Sequence, residues 1–343
     1  MELRFGFAGF GNVARAFARM LHSSGPRLAS EFSLRWRTTA IATANHGCVI
    51  SGRDGINLND AADVCEKGGS LLELPGTIDA GDPASLIDRC EADVIFETTP
   101  LNPEEGEPAI SHIRSALDRG INVVTANKGP LAFAYRELHE LAAMRGVSFG
   151  FEGAVMDGTP VFNLVGRCLP AVKVLGFEGV LNSTTNHILT GMESGRSFDE
   201  CLAEAQRLGI AEANADYDID GWDASVKAVA LANVLMRADK RPGQVDRRGI
   251  RDITPQHLKA AAEKDCAVRL VARASVSAAG LRLSVGPETV PLSSPLGAAK
   301  GRSNVLVLRT DLMGELAIFE IDPGIEQTAY ALLSDLLLIH EVM

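Results

Sequence analysis

Asp223 and Lys227 stand four residues apart in GWDASVKAVALANVL, close enough on one helical face to pair. Beyond them Ala228, Val229, Ala230, Leu231, Ala232, Val234 and Leu235 are apolar on every side, so the helix predicted from Gly221 onward enters a core. A lysine at that edge must be paired or give up its charge, and either condition suits a group that handles protons. Four more carboxylates precede it, Glu212, Asp216, Asp218 and Asp220, so the stretch 208–235 is where chemistry is sought first. The run from Asp216 to Gly221 opens like a calcium loop, but the position that needs a bidentate glutamate holds Lys227, and a cation there repels the metal. Helix capping by Asp218 and Asp220 explains one or two acids. It does not explain Glu212, Asp216 and Asp223 beside a half-buried lysine.

The elements that must position these groups begin at the amino end. An apolar strand over 3–8 runs into Gly9-Phe10-Gly11-Asn12-Val13-Ala14, and a helix begins with Val13, Phe17, Met20 and Leu21. Strand, glycine turn and helix in this G-x-G-x-x-A form let backbone approach a pyrophosphate at a helix amino terminus, so Gly9 to Val13 are read as dinucleotide-binding. The acid that would end the second strand and hold a ribose 2'-hydroxyl is missing from Thr39-Ala40-Ile41-Ala42-Thr43, which leaves NAD and NADP both open. Short helices are expected over 61–68 and 83–90 in an otherwise polar segment from 53 to 92. A buried strand over 93–97 ends in Thr98-Thr99-Pro100, at the edge where a parallel sheet meets its ligand. A helix over 108–119, a strand over 122–125 and a turn over 126–130 repeat the unit and put Lys128 just past a strand's carboxyl end, which favours a ligand role for it. After a helix over 133–145 the alternation changes. Strands over 175–181, 267–274, 281–285, 305–308 and 316–321 fit a mixed sheet, the polar turn Asn182 to Asn186 precedes a helix, and an amphipathic helix covers 325–339.

Length and composition agree with this two-part plan. At 343 residues, with 46% apolar residues, two domains are expected. The net charge of −11, with no basic run, argues against nucleic acid and acidic membrane surfaces as partners. Apolar stretches fall short of the ~18 residues of a membrane span. The amino end has no secretory pattern, and the six scattered cysteines lack a C-x-x-C pair, as in a reduced cytoplasmic protein.

Taken in order, GFGNVA, TTPLNPEEGEPAISHI, VVTANKGPLA, FEGAVMDGTPV, GVLNSTTNHIL and LGIAEANADYDIDGWDASVKAVALAN resemble the short form of the homoserine dehydrogenases, from Phe5 to about Leu338. The resemblance implies an α/β protein: a Rossmann NAD(P)-binding domain over 1–132 with 322–343, and an α+β substrate and dimerisation domain with a mixed sheet over 133–321. It implies reversible NAD- or NADP-linked interconversion of L-aspartate 4-semialdehyde and L-homoserine by a cytoplasmic homodimer. Carried onto this sequence, Glu212, Asp218, Asp223 and Thr184 contact the amino-acid substrate, Lys227 transfers the proton, and Lys128 is the second lysine facing the substrate. A sodium ion would sit on the backbone carbonyls of Glu152, Val155, Asp157 and Thr159. The chain departs from the usual family pattern at Asn214-Ala215, Asp157, Ser183 and His187. Those departures keep a related dehydrogenase of another small hydroxy amino acid open, and fold and glycine turn by themselves would also suit a non-catalytic NAD(P) sensor. Because the last helix ends close to Met343, no separate threonine-binding regulatory module is expected.

Overall fold

The structure, a computed structural model, describes residues 2–51 and 54–343; residue 53, the start of the polar segment above, lies outside them. The chain divides into two compact units, Met1–Pro160 with Gly324–Met343, and Val161–Pro323.

The first unit opens with β1 (Glu2–Ala8), α1 (Asn12–Glu31), β2 (Arg35–Ala42), β3 (Cys48–Ser51), α2 (Leu58–Glu66), β4 (Thr77–Asp79), α3 (Pro83–Arg89) and β5 (Val94–Glu97). It continues with α4 (Ala109–Asp118), β6 (Asn122–Thr125), α5 (Lys128–Phe133), α6 (Tyr135–Arg145) and β7 (Phe149–Gly150). Among the described residues its sheet runs β4-β3-β2-β1-β5-β6-β7. From β2 to β7 the neighbours are parallel, while β3 and β4 join antiparallel at the edge. Strand order reverses beside β1, which pairs with β2 on one side and β5 on the other, and a ligand crevice lies outside the carboxyl ends of strands at such a point. Alternation in β1 puts Leu3, Phe5 and Phe7 in one fully buried cluster. Phe96 of β5 meets Phe5, Phe7 and Phe17 of α1 at ring-centre distances of 5.2, 5.0 and 4.8 Å.

Three expectations need correcting here. The polar segment after residue 53 holds β4 as well as helices, because a three-residue edge strand has no periodicity to read. The turn expected over 126–130 holds only to Asn127 and gives way to α5 from Lys128, and the helix expected over 133–145 begins at Tyr135, since Ala134 at φ −145° interrupts the helix.

The second unit contains β8 (Val174–Val180), α7 (Ser183–Glu193), α8 (Phe198–Arg207), α9 (Asp216–Ile219), α10 (Trp222–Leu235) and β9 (Asp246–Arg247). Then follow α11 (Pro255–Ala262), β10 (Cys266–Ser277), β11 (Gly280–Pro291), α12 (Pro295–Ala298), β12 (Asn304–Thr310) and β13 (Glu315–Glu320). Its sheet runs β13-β12-β8-β10-β11-β9 among the described residues, antiparallel except for the parallel pair β11 and β9. As the apolar run after Lys227 requires, α10 is buried along nearly its whole length and packs on β10 and β11. The last helix, α13 (Ile325–His340), belongs to the first unit and shares a core cluster with α1 through Ala329, Leu332, Leu333, Leu336 and Ile339. No described helix is long and apolar enough to cross a membrane.

Gly9 shows how tightly the crevice end of β1 is built. It sits at φ +92°, and a Cβ there would lie 2.7 Å from the Thr98 carbonyl carbon. Gly9→Ala is therefore expected to lower stability by about 1–3 kcal/mol through backbone strain and collision, read as a drop in thermal midpoint.

Candidate functional site

In the first unit the crevice is framed by the glycine turn and the ends of β5 and β6. Gly9 donates its N–H to Ala42 O at 3.0 Å, and its carbonyl accepts from Thr98 Oγ1 at 2.8 Å. Gly11 is the N-cap of α1 at φ −80°, with no side-chain cap and no acid in the first turn. Among the described residues, a Cβ built on it meets nothing within 4 Å. The open space at Gly11 thus lies at the positive end of a 20-residue helix, which suits a pyrophosphate. Asn12 and Val13 are the first helical residues, whereas the Phe10 ring is buried edge-on against Phe7 at 5.4 Å. Only the Phe10 backbone is left to meet a nucleotide.

Glu97 and Asn127, which the sequence reading did not single out, tie this end together. The buried Glu97 carboxylate accepts from the Thr99 N–H at 3.0 Å, from the Thr99 hydroxyl, and from Thr125 Oγ1 at 2.9 Å. Burial pushes its carboxyl up to about 7, against the hydrogen bonds from Thr99 and Thr125. Asn127 caps α5 by accepting the Gly129 N–H at 2.9 Å and donates Nδ2 to Thr99 O at 3.0 Å. Lys128 is therefore presented as the first residue of a capped helix. The signal available beforehand was an acid at the end of a buried strand.

The loop 152–159 also belongs to this unit. Glu152 and Val155 are buried, Asp157 is left-handed at φ 44°, and α13 clamps the loop: Asp335 accepts the Glu152 N–H at 2.8 Å and Thr328 donates to Asp157 at 2.7 Å. No three His, Cys, Asp or Glu side chains among the described residues are grouped to hold a metal. Backbone carbonyls of this loop are hard oxygen donors of the kind that suit a hard cation.

In the second unit the structure sorts the carboxylates of 208–235. Asp216 and Asp220 turn outward onto Arg251, with Arg251 Nε 2.5 Å from Asp220 Oδ1. Asp218 and Asp223 turn inward and share Asn182, whose Nδ2 donates to Asp218 Oδ1 at 2.7 Å and to Asp223 Oδ2 at 2.9 Å. Asn182 Oδ1 meanwhile accepts the Thr185 N–H at 2.8 Å and caps α7. Asp223 pairs with Lys227 at 3.3 Å, and Lys227 Nζ also donates to Leu181 O at 2.8 Å. The side chains of Lys227 and Asp223 are 16% and 9% exposed, so the pair is largely desolvated while the ammonium keeps an opening. Burial and the neighbouring Asp223 charge raise the Asp218 carboxyl, opposed by Asn182, Thr184 and Lys227. Thr184 Oγ1 donates to Ile210 O at 3.1 Å and so fastens the loop that carries Glu212, whose own side chain is exposed. The Tyr217 hydroxyl is buried without a hydrogen-bond partner among the described residues, and burial beside Asp223 and Asp218 raises the phenol well above its ordinary value. Of the departures from the family pattern, His187 is engaged by Glu204 at 3.2 Å, an acid also held by Arg196, and Asn214 accepts the Asp216 N–H at 3.0 Å ahead of α9.

A glycine turn at the switch point of a parallel sheet, and a lysine paired with a carboxylate at the edge of a core, define a nicotinamide-dependent oxidoreductase. Residues 160–337 match the homoserine dehydrogenase family. An NAD(+)-dependent homoserine dehydrogenase of Pseudomonas canavaninivorans is 36% identical over 99% of this chain and 97% of its own. Among solved structures, a putative homoserine dehydrogenase of Archaeoglobus fulgidus superposes with TM-score 0.87 at 32% identity, covering 98% of this chain and 99% of that one. A hyperthermophilic archaeal homoserine dehydrogenase in complex with NADPH does so with TM-score 0.83 at 28% identity, covering 100% and 99%. The chain belongs to the homoserine dehydrogenase family and is an NAD(P)-dependent enzyme.

Two substitutions separate the parts of this geometry. Gly11→Val is expected to fold normally, since the backbone there suits any residue and the space is open, yet to raise the Michaelis constant for the dinucleotide sharply. An unchanged constant in steady-state assays would remove the glycine turn from the site. Asn182→Ala leaves Asp218 and Asp223 without their shared donor and α7 without its cap, so a loss of about 2–4 kcal/mol is expected in denaturant titration.

Proposed function

We propose that the enzyme interconverts L-aspartate 4-semialdehyde and L-homoserine. The observation that carries this reading is the inward cluster of Asp218, Asp223 and Lys227 beside the Asn182 amide, which combines a proton-handling ammonium with acids suited to a substrate amine. When bound, NAD(P) supplies or accepts the hydride at the carbonyl carbon. Lys227 gives the proton to the forming alkoxide in reduction and takes it back in oxidation, at Nζ. Asp223 holds that ammonium in place, and Asp218 and Glu212 take the substrate ammonium, with Thr184 ordering the loop that Glu212 lies on. Lys128 is the second lysine of the reaction, set at the crevice of the first unit.

Gly9, Phe10 through its backbone, Gly11, Asn12 and Val13 are assigned to the pyrophosphate, and Thr98, Thr99, Pro100 and Lys128 to the nicotinamide side. A sodium ion is assigned to the carbonyls of Glu152, Val155, Asp157 and Thr159, where it would brace the loop that α13 already holds. The six free thiols support a cytoplasmic location, and the exposed apolar residues Leu175, Val276 and Phe319 on the second unit's strands support a homodimer.

Absorbance at the reduced-nicotinamide band, with L-homoserine and NAD or NADP in turn, tests the reaction and the cofactor together. Lys227→Ala should lower kcat by about 10²-fold or more while the affinity for the dinucleotide stays unchanged. Loss of dinucleotide binding in that variant, or turnover near the wild-type rate, would overturn the role given to Lys227.

A further inference from the structure

Glu97 closes β5 with no solvent exposure and lies in a closed circuit of hydrogen bonds. It accepts from the Thr99 N–H and hydroxyl through Oε1 and from Thr125 through Oε2. The Asn127 N–H donates to Thr125 Oγ1 at 3.0 Å, which leaves the Thr125 proton for Glu97. Asn127 Nδ2 then returns to Thr99 O at 3.0 Å, and its Oδ1 starts the helix that Lys128 opens. Thr98, between Glu97 and Thr99, bonds the Gly9 carbonyl.

We propose that Glu97 is a positioning residue whose ionised form locks the two crevice loops, 98–100 and 126–129, into one unit, setting the nicotinamide-side peptide and Lys128 together. The inference rests on the assignment of those loops to the cofactor made above. An ionised carboxylate only accepts, and every group aimed at Glu97 donates. Protonation would set the carboxyl proton against the proton that a threonine hydroxyl already aims at Glu97, so a threonine must turn and the circuit opens.

Burial, not a neighbouring charge, lifts this carboxyl to about 7. Ala8 and Thr125 flank Glu97 in the sheet. On the side of Ile95, α4 brings His112, whose charged form is disfavoured by burial, with Glu107 ahead of it and Arg114 paired to Glu137; α3 has the exposed Asp88 and Arg89 behind its exposed N-cap Asp82, α6 the exposed Arg136, Glu137 and Glu140, and α5 starts with Lys128. The linkage has a definite sign. A carboxyl raised in the folded state takes up its proton more readily there than in the unfolded chain, so wild-type stability falls as pH rises from the ordinary carboxylate range to about 7. The locked, ionised state is gained over the upper part of the same range, at the expense of stability.

The test is NADH binding followed by its fluorescence, without substrate, from about pH 6 to 8.5, together with thermal midpoints. For the wild type, affinity should weaken about 5-fold as pH falls through 7, the scale of one lost hydrogen bond. Glu97→Gln should bind NADH with the weaker, low-pH affinity at every pH, and its midpoint should gain on the wild type as pH rises. Thr125→Val opens the circuit on its other side; it should weaken NADH binding and move the pH step upward, since the ionised carboxylate loses a donor. Identical NADH profiles for wild type and Glu97→Gln would overturn the proposal, as would a shift in midpoint alone, which marks a purely structural acid. Homoserine turnover is not read, so failure of the substrate assignment leaves this test intact.

Discussion

A carboxylate taken out of water must be met by donors or by a cation, and each centre of this protein is organised by that requirement. In the second unit Asp218 and Asp223 turn inward close enough to raise one of them, and a single amide, Asn182, bridges both while Lys227 neutralises the second. Asn182 can do this only because its oxygen is committed to the cap of α7, which fixes the amide's orientation and points both N–H bonds at the acids. A helix cap and an electrostatic centre are thus the same residue.

Among its described residues, the first unit solves the same problem without a cation. Glu97 is satisfied by two threonines and a peptide N–H, and the cost of leaving its charge unpaired appears as a carboxyl raised to about 7. Its neighbours spend their remaining hydrogen bonds on the backbone of adjacent loops: Thr98 on Gly9, Asn127 on Thr99 and on the first turn of α5. The crevice end of the sheet is therefore a hydrogen-bonded frame, and the space above Gly11 is what that frame leaves open. Behind it, α13 braces the loop 152–159 through Asp335 and Thr328, so a helix from the far end of the chain supports backbone near the crevice strands.

Outside the two centres, charged residues are put to ordinary structural use. Asp216 and Asp220, in the same short stretch as Asp218, pair with Arg251 on the surface, where such bridges contribute little. His187 is bound to Glu204 on α8, which accounts for an unusual residue near the start of α7 without giving it a role in the reaction.

Local spacing carried a good part of this in the sequence alone. The glycine turn between β1 and α1, the burial of α10, and the approach of Asp223 to Lys227 all depend on residues within a few positions of one another, and periodicity reports such relations directly. Which acids of the 208–235 stretch face inward was not legible, because it is decided by Asn182, 36 residues before Asp218, and by Arg251, 31 residues after Asp220. The Phe10 ring was likewise indistinguishable from a ligand contact until Phe7 was seen beneath it. Glu97 read as the last residue of a strand; only the parallel pairing of β5 with β6 brings Thr125 and Asn127 to it and turns a buried acid into the centre of a frame. Spacing specifies which side chains share a face, but partners for buried charge come from strands and caps far away in the chain, and those distances are closed only by the tertiary fold.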